Sequence, residues 1–167
     1  MSGADPVRLL TVCLGNICRS PTAEAALVEA AAAAGVAVEV RSAGTGDWHV
    51  GNPPDTRMRA AAERVGLRLR GIAETVTAEA LAEADLVLAM DRSNLADLRR
   101  VAAAAGVTTR IELFRTFDPE PGSLRGAAED EVPDPYYGEA DGFDEVVAIC
   151  RRTAAAVVAG LTDEVRR

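Results

Sequence analysis

Val7-Arg8-Leu9-Leu10-Thr11-Val12-Cys13-Leu14-Gly15-Asn16-Ile17-Cys18-Arg19-Ser20-Pro21 is the stretch on which the reading of this chain turns. It opens with a short run rich in branched apolar side chains, the pattern of a strand buried on both faces. Gly15 and Asn16 break that run, since both tolerate left-handed backbone angles. Ser20-Pro21 reads as an N-cap followed by proline at the first helical position. Glu24 would then lie in the first turn, the end that favours negative charge. The helix is expected to reach Ala34 and stop at Gly35.

Outward from this unit, strands and helices alternate. Val36 to Arg41 reads as a second strand, Asp85 to Met90 as a third and Arg110 to Leu113 as a fourth. Helices are expected from about Asp55 to Val65, ended by Gly66, from a Thr77 cap through Ala82, from a start at Asp91 and Ser93 to an end at Gly106, and from Phe143 to about Leu161. Ser42 to Pro54 and Phe114 to Gly142 are expected to be loops. This alternation predicts a single α/β domain over residues 1–167, a four-stranded parallel sheet with helices on both faces. In such sheets ligands sit beyond the carboxyl ends of the strands. The loop at Cys13 leaves that end of the first strand, and the long segment before the last helix is of a length that is often functional.

The composition narrows the classes. Of 167 residues 49% are hydrophobic but only 4% aromatic, so the core must be built from Ala, Val, Leu and Ile. A net charge of −8 argues against nucleic acid or an anionic membrane as partner. All 18 basic residues are Arg, which excludes lysine Schiff-base chemistry and a P-loop lysine. No run approaches the ~18 apolar residues of a membrane helix. Met1 to Pro6 carries Asp5 and lacks a secretory pattern, so a cytoplasmic location is expected. The cysteines, Cys13, Cys18 and Cys150, are odd in number and do not suit a disulfide framework. Cys150 falls in the apolar pattern of the last helix and is expected in the core.

Cys13 to Arg19 has the parts of an anion cradle. Leu14, Gly15, Asn16, Ile17 and Cys18 can curl so that their backbone N–H groups converge. Arg19 offers a planar fork for two phosphate oxygens, and the following helix adds its positive end. Such surroundings favour an ionised, nucleophilic sulfur at Cys13, with the Ser20 hydroxyl beside it. Core burial of Cys13 is the alternative, but Gly-Asn, Arg and Ser-Pro are poor core material. Asp134, stiffened between Pro133 and Pro135, is a candidate general acid and base. Tyr136, Tyr137 and Trp48 would form aromatic walls for a phenyl ring. His49, the sole histidine, could sit at the pocket rim and is given no proton-transfer role.

Val12 to Pro21 resembles the signature loop of low-molecular-weight protein tyrosine phosphatases. Ser42-Ala43-Gly44-Thr45, Gly51-Asn52-Pro53-Pro54-Asp55, Met90-Asp91 and Asp134-Pro135-Tyr136-Tyr137-Gly138 fall in that family's order. The resemblance implies a flavodoxin-like sheet of order 2-1-3-4 and hydrolysis of protein phosphotyrosine through a cysteinyl-phosphate intermediate. Cys13, Arg19 and Asp134 would be catalytic, and no metal or cofactor would be needed. Phosphotyrosine proteins would be the substrates, with phosphate or another oxyanion in the loop and a monomer as the expected state. A reversible Cys13–Cys18 disulfide is also implied, against a plain packing role for Cys18. Relatives carry a His where Gly71 stands here, which leaves Ser42 as the expected partner of the Asn16 side chain.

Rival readings are weaker on the residues. A thioredoxin-coupled arsenate reductase needs a second cysteine pair, and only Cys150 lies outside the loop. Arginine phosphatases tend to carry Thr where Ile17 stands. A non-catalytic phosphotyrosine-binding module would not need Cys13, Arg19 and Asp134 together. A zinc site at Cys13 and Cys18 lacks further ligands.

Overall fold

The structure, a computed structural model, describes residues 5–122 and 127–165. Most of the first six residues, read above for a secretory pattern, and residues 123–126 of the long loop lie outside the described residues. Strand β1 (Val7–Cys13) pairs in parallel with β2 (Val38–Gly44) on one side and β3 (Leu86–Ala89) on the other, and β3 pairs with β4 (Arg110–Leu113). The order β2-β1-β3-β4 is the one expected.

Alternation along β1 sends Leu9 to one face and Leu10 and Val12 to the other. Leu9 joins a core built with α1 (Arg19–Ala34), α2 (Thr56–Glu63) and α5 (Ala140–Val165). Leu10 and Val12 join Leu81 of α3 (Ala78–Glu83) and Leu98 of α4 (Arg92–Ala105). Small side chains such as Ala23, Ala26 and Ala154 are fully enclosed, as the shortage of aromatics requires.

The bounds of α1, β2 and α5 differ from expectation. Helix α1 starts at Arg19, so Ser20 is not its cap, Pro21 is not its first residue and Glu24 lies beyond the first turn. Strand β2 starts at Val38 because Gly35, at φ 68°, closes the helix and the Val36 N–H donates to the Ala31 carbonyl at 3.0 Å. It runs on to Gly44, since Ser42, Ala43 and Gly44 pair with Thr11, Val12 and Cys13. Helix α5 extends past the apolar pattern at both ends, from Ala140 to Val165.

A buried ionic knot holds the long loop. Arg115, in a short 3₁₀ turn after β4, donates from Nε to Asp118 at 2.9 Å, and Arg152 of α5 donates to the same carboxylate at 2.8 and 3.1 Å. Arg115 also donates to the Glu131 carbonyl at 3.0 Å, and the Val132 N–H to the Met90 carbonyl at 2.8 Å. Asp130 pairs with Arg92 at 2.6 Å, and Glu131 accepts from the Arg92 N–H at 2.8 Å. These contacts return the chain to the carboxyl edge of the sheet two residues before Asp134.

Candidate active site

Strand β1 delivers Cys13 to the carboxyl edge of the sheet. It is only 3% exposed, yet it lines a pocket of about 390 Å³. The loop after it is held from outside. The carbonyls of Cys13, Leu14 and Ile17 accept from the N–H groups of Thr45, Gly46 and Asp55, each at 2.9 Å. The Cys18 carbonyl accepts from the Thr22 hydroxyl at 2.8 Å. In a trans peptide the carbonyl and the next N–H point opposite ways. Outward carbonyls therefore turn the N–H groups of Leu14, Gly15, Cys18 and Arg19 toward the loop interior. The Asn16 N–H donates to Cys13 Sγ at 3.3 Å. Asn16, at φ 56°, is the one non-glycine residue with positive φ among the described residues, and this left-handed turn closes the loop. A Cβ on Gly44 would come within 2.7 Å of the Leu14 carbonyl oxygen, so glycine is needed for β2 to back the loop.

Ser20, released from capping, serves the site. Its Oγ accepts from Asn16 Nδ2 at 2.8 Å and lies 3.0 Å from Cys13 Sγ. Either partner of the Ser20–Cys13 contact can donate, and the Ser20 hydroxyl also reaches the Ala43 carbonyl at 3.5 Å. An ionised sulfur can only accept, so a thiolate at Cys13 would draw the hydroxyl proton to itself. Helix α1 has no side-chain cap, which leaves its first N–H groups to the loop interior. The Asn16 Oδ1 accepts from the Glu74 N–H at 2.9 Å. Ser42 is therefore not the support of Asn16. It is paired along β2, and its side chain hydrogen-bonds Glu24. The backbone N–H of Glu74 is thus the partner that the Asn16 carbonyl oxygen finds in the fold.

Arg19, almost wholly buried, donates from Nη1 to Asp91 Oδ2 at 2.7 Å and to the Val132 carbonyl at 3.2 Å. Its Nη2 lies 3.6 Å from Asp134 Oδ2. Burial opposes its charge, but Cys13, Asp91 and Asp134 outweigh that and raise its pKa. Asp91 does two jobs, since its other oxygen caps α4 by accepting from the Asn94 N–H at 2.8 Å. Asp134 is exposed, and its Oδ1 accepts from the Tyr136 N–H at 3.1 Å.

Trp48, 72% exposed, and Tyr136 and Tyr137 line the pocket with Leu14, Ile17 and His49. His49 stands between the loop and the aromatic wall. Its ring is 5.8 Å from that of Tyr136, and a Cβ on Gly15 would meet its Cδ2 at 3.0 Å. Tyr137 packs edge-on to Tyr136 at 4.8 Å and is itself 94% exposed. Cys18 is buried, and burial pushes its thiol well above the usual range, with Asp55 adding to the effect. Cys150 is buried in the core, as expected. No cluster of three potential metal ligands occurs among the described residues.

Sequence reasoning groups Cys13, Arg19, Asp134, Ser20 and the aromatic walls; the structure gathers Cys13, Arg19, Asp134, Trp48, Tyr136 and Tyr137 around one pocket and buries Ser20 beside the Cys13 sulfur. It misses Asp91 as the partner of Arg19 and Glu74 as the holder of Asn16. Asp91 is readable as a helix start and as part of the Met90-Asp91 family motif, neither of which points to Arg19, and a backbone N–H leaves no sequence signal.

A strand–loop–helix anion cradle with a central cysteine, an inward arginine and a carboxylate across the pocket defines the class of cysteine-based α/β phosphatases. The chain belongs to the low-molecular-weight phosphotyrosine protein phosphatase family, whose model matches residues 8–167. It is 38% identical over 160 residues to a low-molecular-weight protein-tyrosine-phosphatase of Streptomyces coelicolor, with 95% of each chain covered. A crystal structure of a protein tyrosine phosphatase from Entamoeba histolytica, with Hepes in the active site, superposes with TM-score 0.84 at 30% identity, covering 95% of this chain and 98% of that one. The structure of a Drosophila arginine phosphatase superposes with TM-score 0.82 at 27% identity, covering 92% and 96%. Among the described residues no helix is long and apolar enough to cross a membrane.

Proposed function

We propose that this protein hydrolyses protein phosphotyrosine, and small aryl phosphates, by two displacements at phosphorus. The observation that carries the reading is the outward tethering of the loop carbonyls, which aims several N–H donors at one point beside Cys13 Sγ. A phosphoryl group there has its equatorial oxygens among those donors and the Arg19 guanidinium. The sulfur attacks phosphorus as the ester P–O bond breaks, and Asp134 gives its proton to the departing phenol oxygen. The Asp134 carboxylate then takes a proton from water. That water attacks the cysteinyl phosphate, the S–P bond breaks, and inorganic phosphate leaves. The Ser20 hydroxyl stabilises the departing thiolate.

Trp48, Tyr136 and Tyr137 give the phenyl ring its walls. The apolar Ile17 side chain in the same pocket suits a phenyl ring better than a guanidinium. A cytoplasmic protein and a reduced Cys13 complete the proposal.

The test is steady-state hydrolysis of para-nitrophenyl phosphate, with phosphotyrosine and phosphoarginine peptides in parallel. Wild type should turn over the aryl ester and the phosphotyrosine peptide, with or without chelator, and Cys13→Ser should be inactive. Equal activity of Cys13→Ser and wild type, or a preference for phosphoarginine, would refute the reading.

A further inference from the structure

Arg57 takes no part in the scheme above, yet it joins the two halves of the site. On one side, the Asp55 N–H donates to the Ile17 carbonyl at 2.9 Å, on the back of the anion loop. The Asp55 carboxylate caps α2 and accepts from Arg57 Nε at 3.2 Å and Nη2 at 3.0 Å. This fork fixes the plane of the guanidinium. On the other side, that guanidinium lies over two rings, 5.2 Å from the centroid of Tyr136 and 4.8 Å from that of Phe143. Phe143 is buried in the first turns of α5, so the stack has a rigid base. The Tyr136 N–H in turn holds Asp134 Oδ1 at 3.1 Å. An unbroken series of contacts thus runs from the anion loop to the carboxylate across the pocket.

The need for it is physical. Asp134 is exposed, on a loop, and drawn toward Arg19 by an ion pair at 3.6 Å. The buried prolines on either side, Pro133 and Pro135, hold its backbone, and the Tyr136 N–H holds its carboxylate against that pull. The ring of Tyr136 does have packing: His49 links it to Gly15 of the anion loop by van der Waals contact, and Arg57 adds the charged, hydrogen-bonded link through Asp55 to Ile17. We infer that Arg57 is a positioning residue, which sets the Asp134 carboxylate relative to the Cys13 loop by clamping Tyr136. The inference rests on the reading of Asp134 as the general acid.

A misplaced acid slows a poor leaving group and barely affects a good one. Displacement of a catalytic group by an ångström can cost up to ~100-fold, and a general acid contributes ~100-fold or more. Arg57→Met keeps the stem but loses the fork, and Arg57→Lys keeps the charge but loses the plane. The experiment is kcat/KM for phenyl phosphate and para-nitrophenyl phosphate with both variants, alone and on an Asp134→Asn background. The expected result is roughly a tenfold loss on phenyl phosphate and less than about threefold on the nitrophenyl ester, for both variants. On Asp134→Asn, Arg57→Met should add less than about twofold, because two residues serving one function are not additive. Equal losses on the two esters, or a full additional loss on Asp134→Asn, would overturn the inference while leaving Asp134 as the acid. If Asp134→Asn itself lost both esters equally, the acid assignment would fall and the inference with it.

Discussion

Removing a single oxygen at Ser20 tests the chemistry of the loop most directly. In Ser20→Ala the Cys13 sulfur loses a hydroxyl neighbour at 3.0 Å, and Asn16 Nδ2 loses its acceptor at 2.8 Å. Both contacts are buried, where water cannot replace them. A hydrogen bond to a charged group contributes about 1.5–3 kcal/mol, and about 1.4 kcal/mol is a factor of ten in rate. The bond matters most when negative charge returns to sulfur, which happens as the S–P bond breaks. Hydrolysis of the cysteinyl phosphate should therefore slow by roughly 10- to 100-fold, while formation of it slows less. Rapid mixing with para-nitrophenyl phosphate reads both steps. The variant should release one nitrophenol per enzyme in a burst and then turn over slowly. A steady-state rate within about twofold of wild type would show that the hydroxyl does not assist the leaving sulfur, as would loss of the burst with the steady state unchanged.

Three further outcomes follow from the geometry. Asp118→Asn should unfold more easily by about 3–5 kcal/mol in urea, since it leaves the buried Arg115 without its charge partner. Burial opposes the charge of Asp118, but Arg152 and Arg115 hold its pKa at about 2, below the ordinary 3.8, so this difference should be full above pH 4 and shrink as pH falls through that window. Glu24 runs the other way, because burial raises its pKa above 4.5 despite the hydrogen bond from Ser42. Its ionised form costs stability that is absent at acid pH and grows as pH rises through the raised value. Glu24→Gln should then melt at or above the wild-type temperature at pH 7, with the gap closing by pH 4. Gly46→Ala should displace the Trp48 ring, which occupies the space a Cβ would need. Because Trp48 is largely exposed, KM for aryl phosphates should rise with little change in melting temperature.

Much of this protein is legible in its residues alone. Helix and strand periods, glycine stops and the aspartate cap of α4 are local signals, and they mark the four strands and their alternation with helices. Cys13, Arg19 and Asp134, the groups of the proposed chemistry, stand out because Gly-Asn, Ser-Pro and Pro-Asp-Pro are unusual core material gathered around reactive side chains. What local signals do not carry is the side of each hydrogen bond. Ser20 has the look of a cap in sequence, yet in the fold its hydroxyl turns to sulfur, because the helix already begins one residue earlier. Ser42 looks like the partner of Asn16, but the β2 register assigns it to a strand and leaves Asn16 to a backbone N–H that any residue but proline at position 74 would supply.

The sequence by itself determined the alternation of strands and helices and singled out the residues of the proposed chemistry, because these depend on residue type and short spacing; the strand order came with the family resemblance. Tertiary structure alone decided that Asp91 holds Arg19, that Arg57 lies between Tyr136 and Phe143, and that the loop carbonyls are pulled outward. Each of those is a contact between segments far apart in the chain, and its direction exists only once the sheet has brought their ends together.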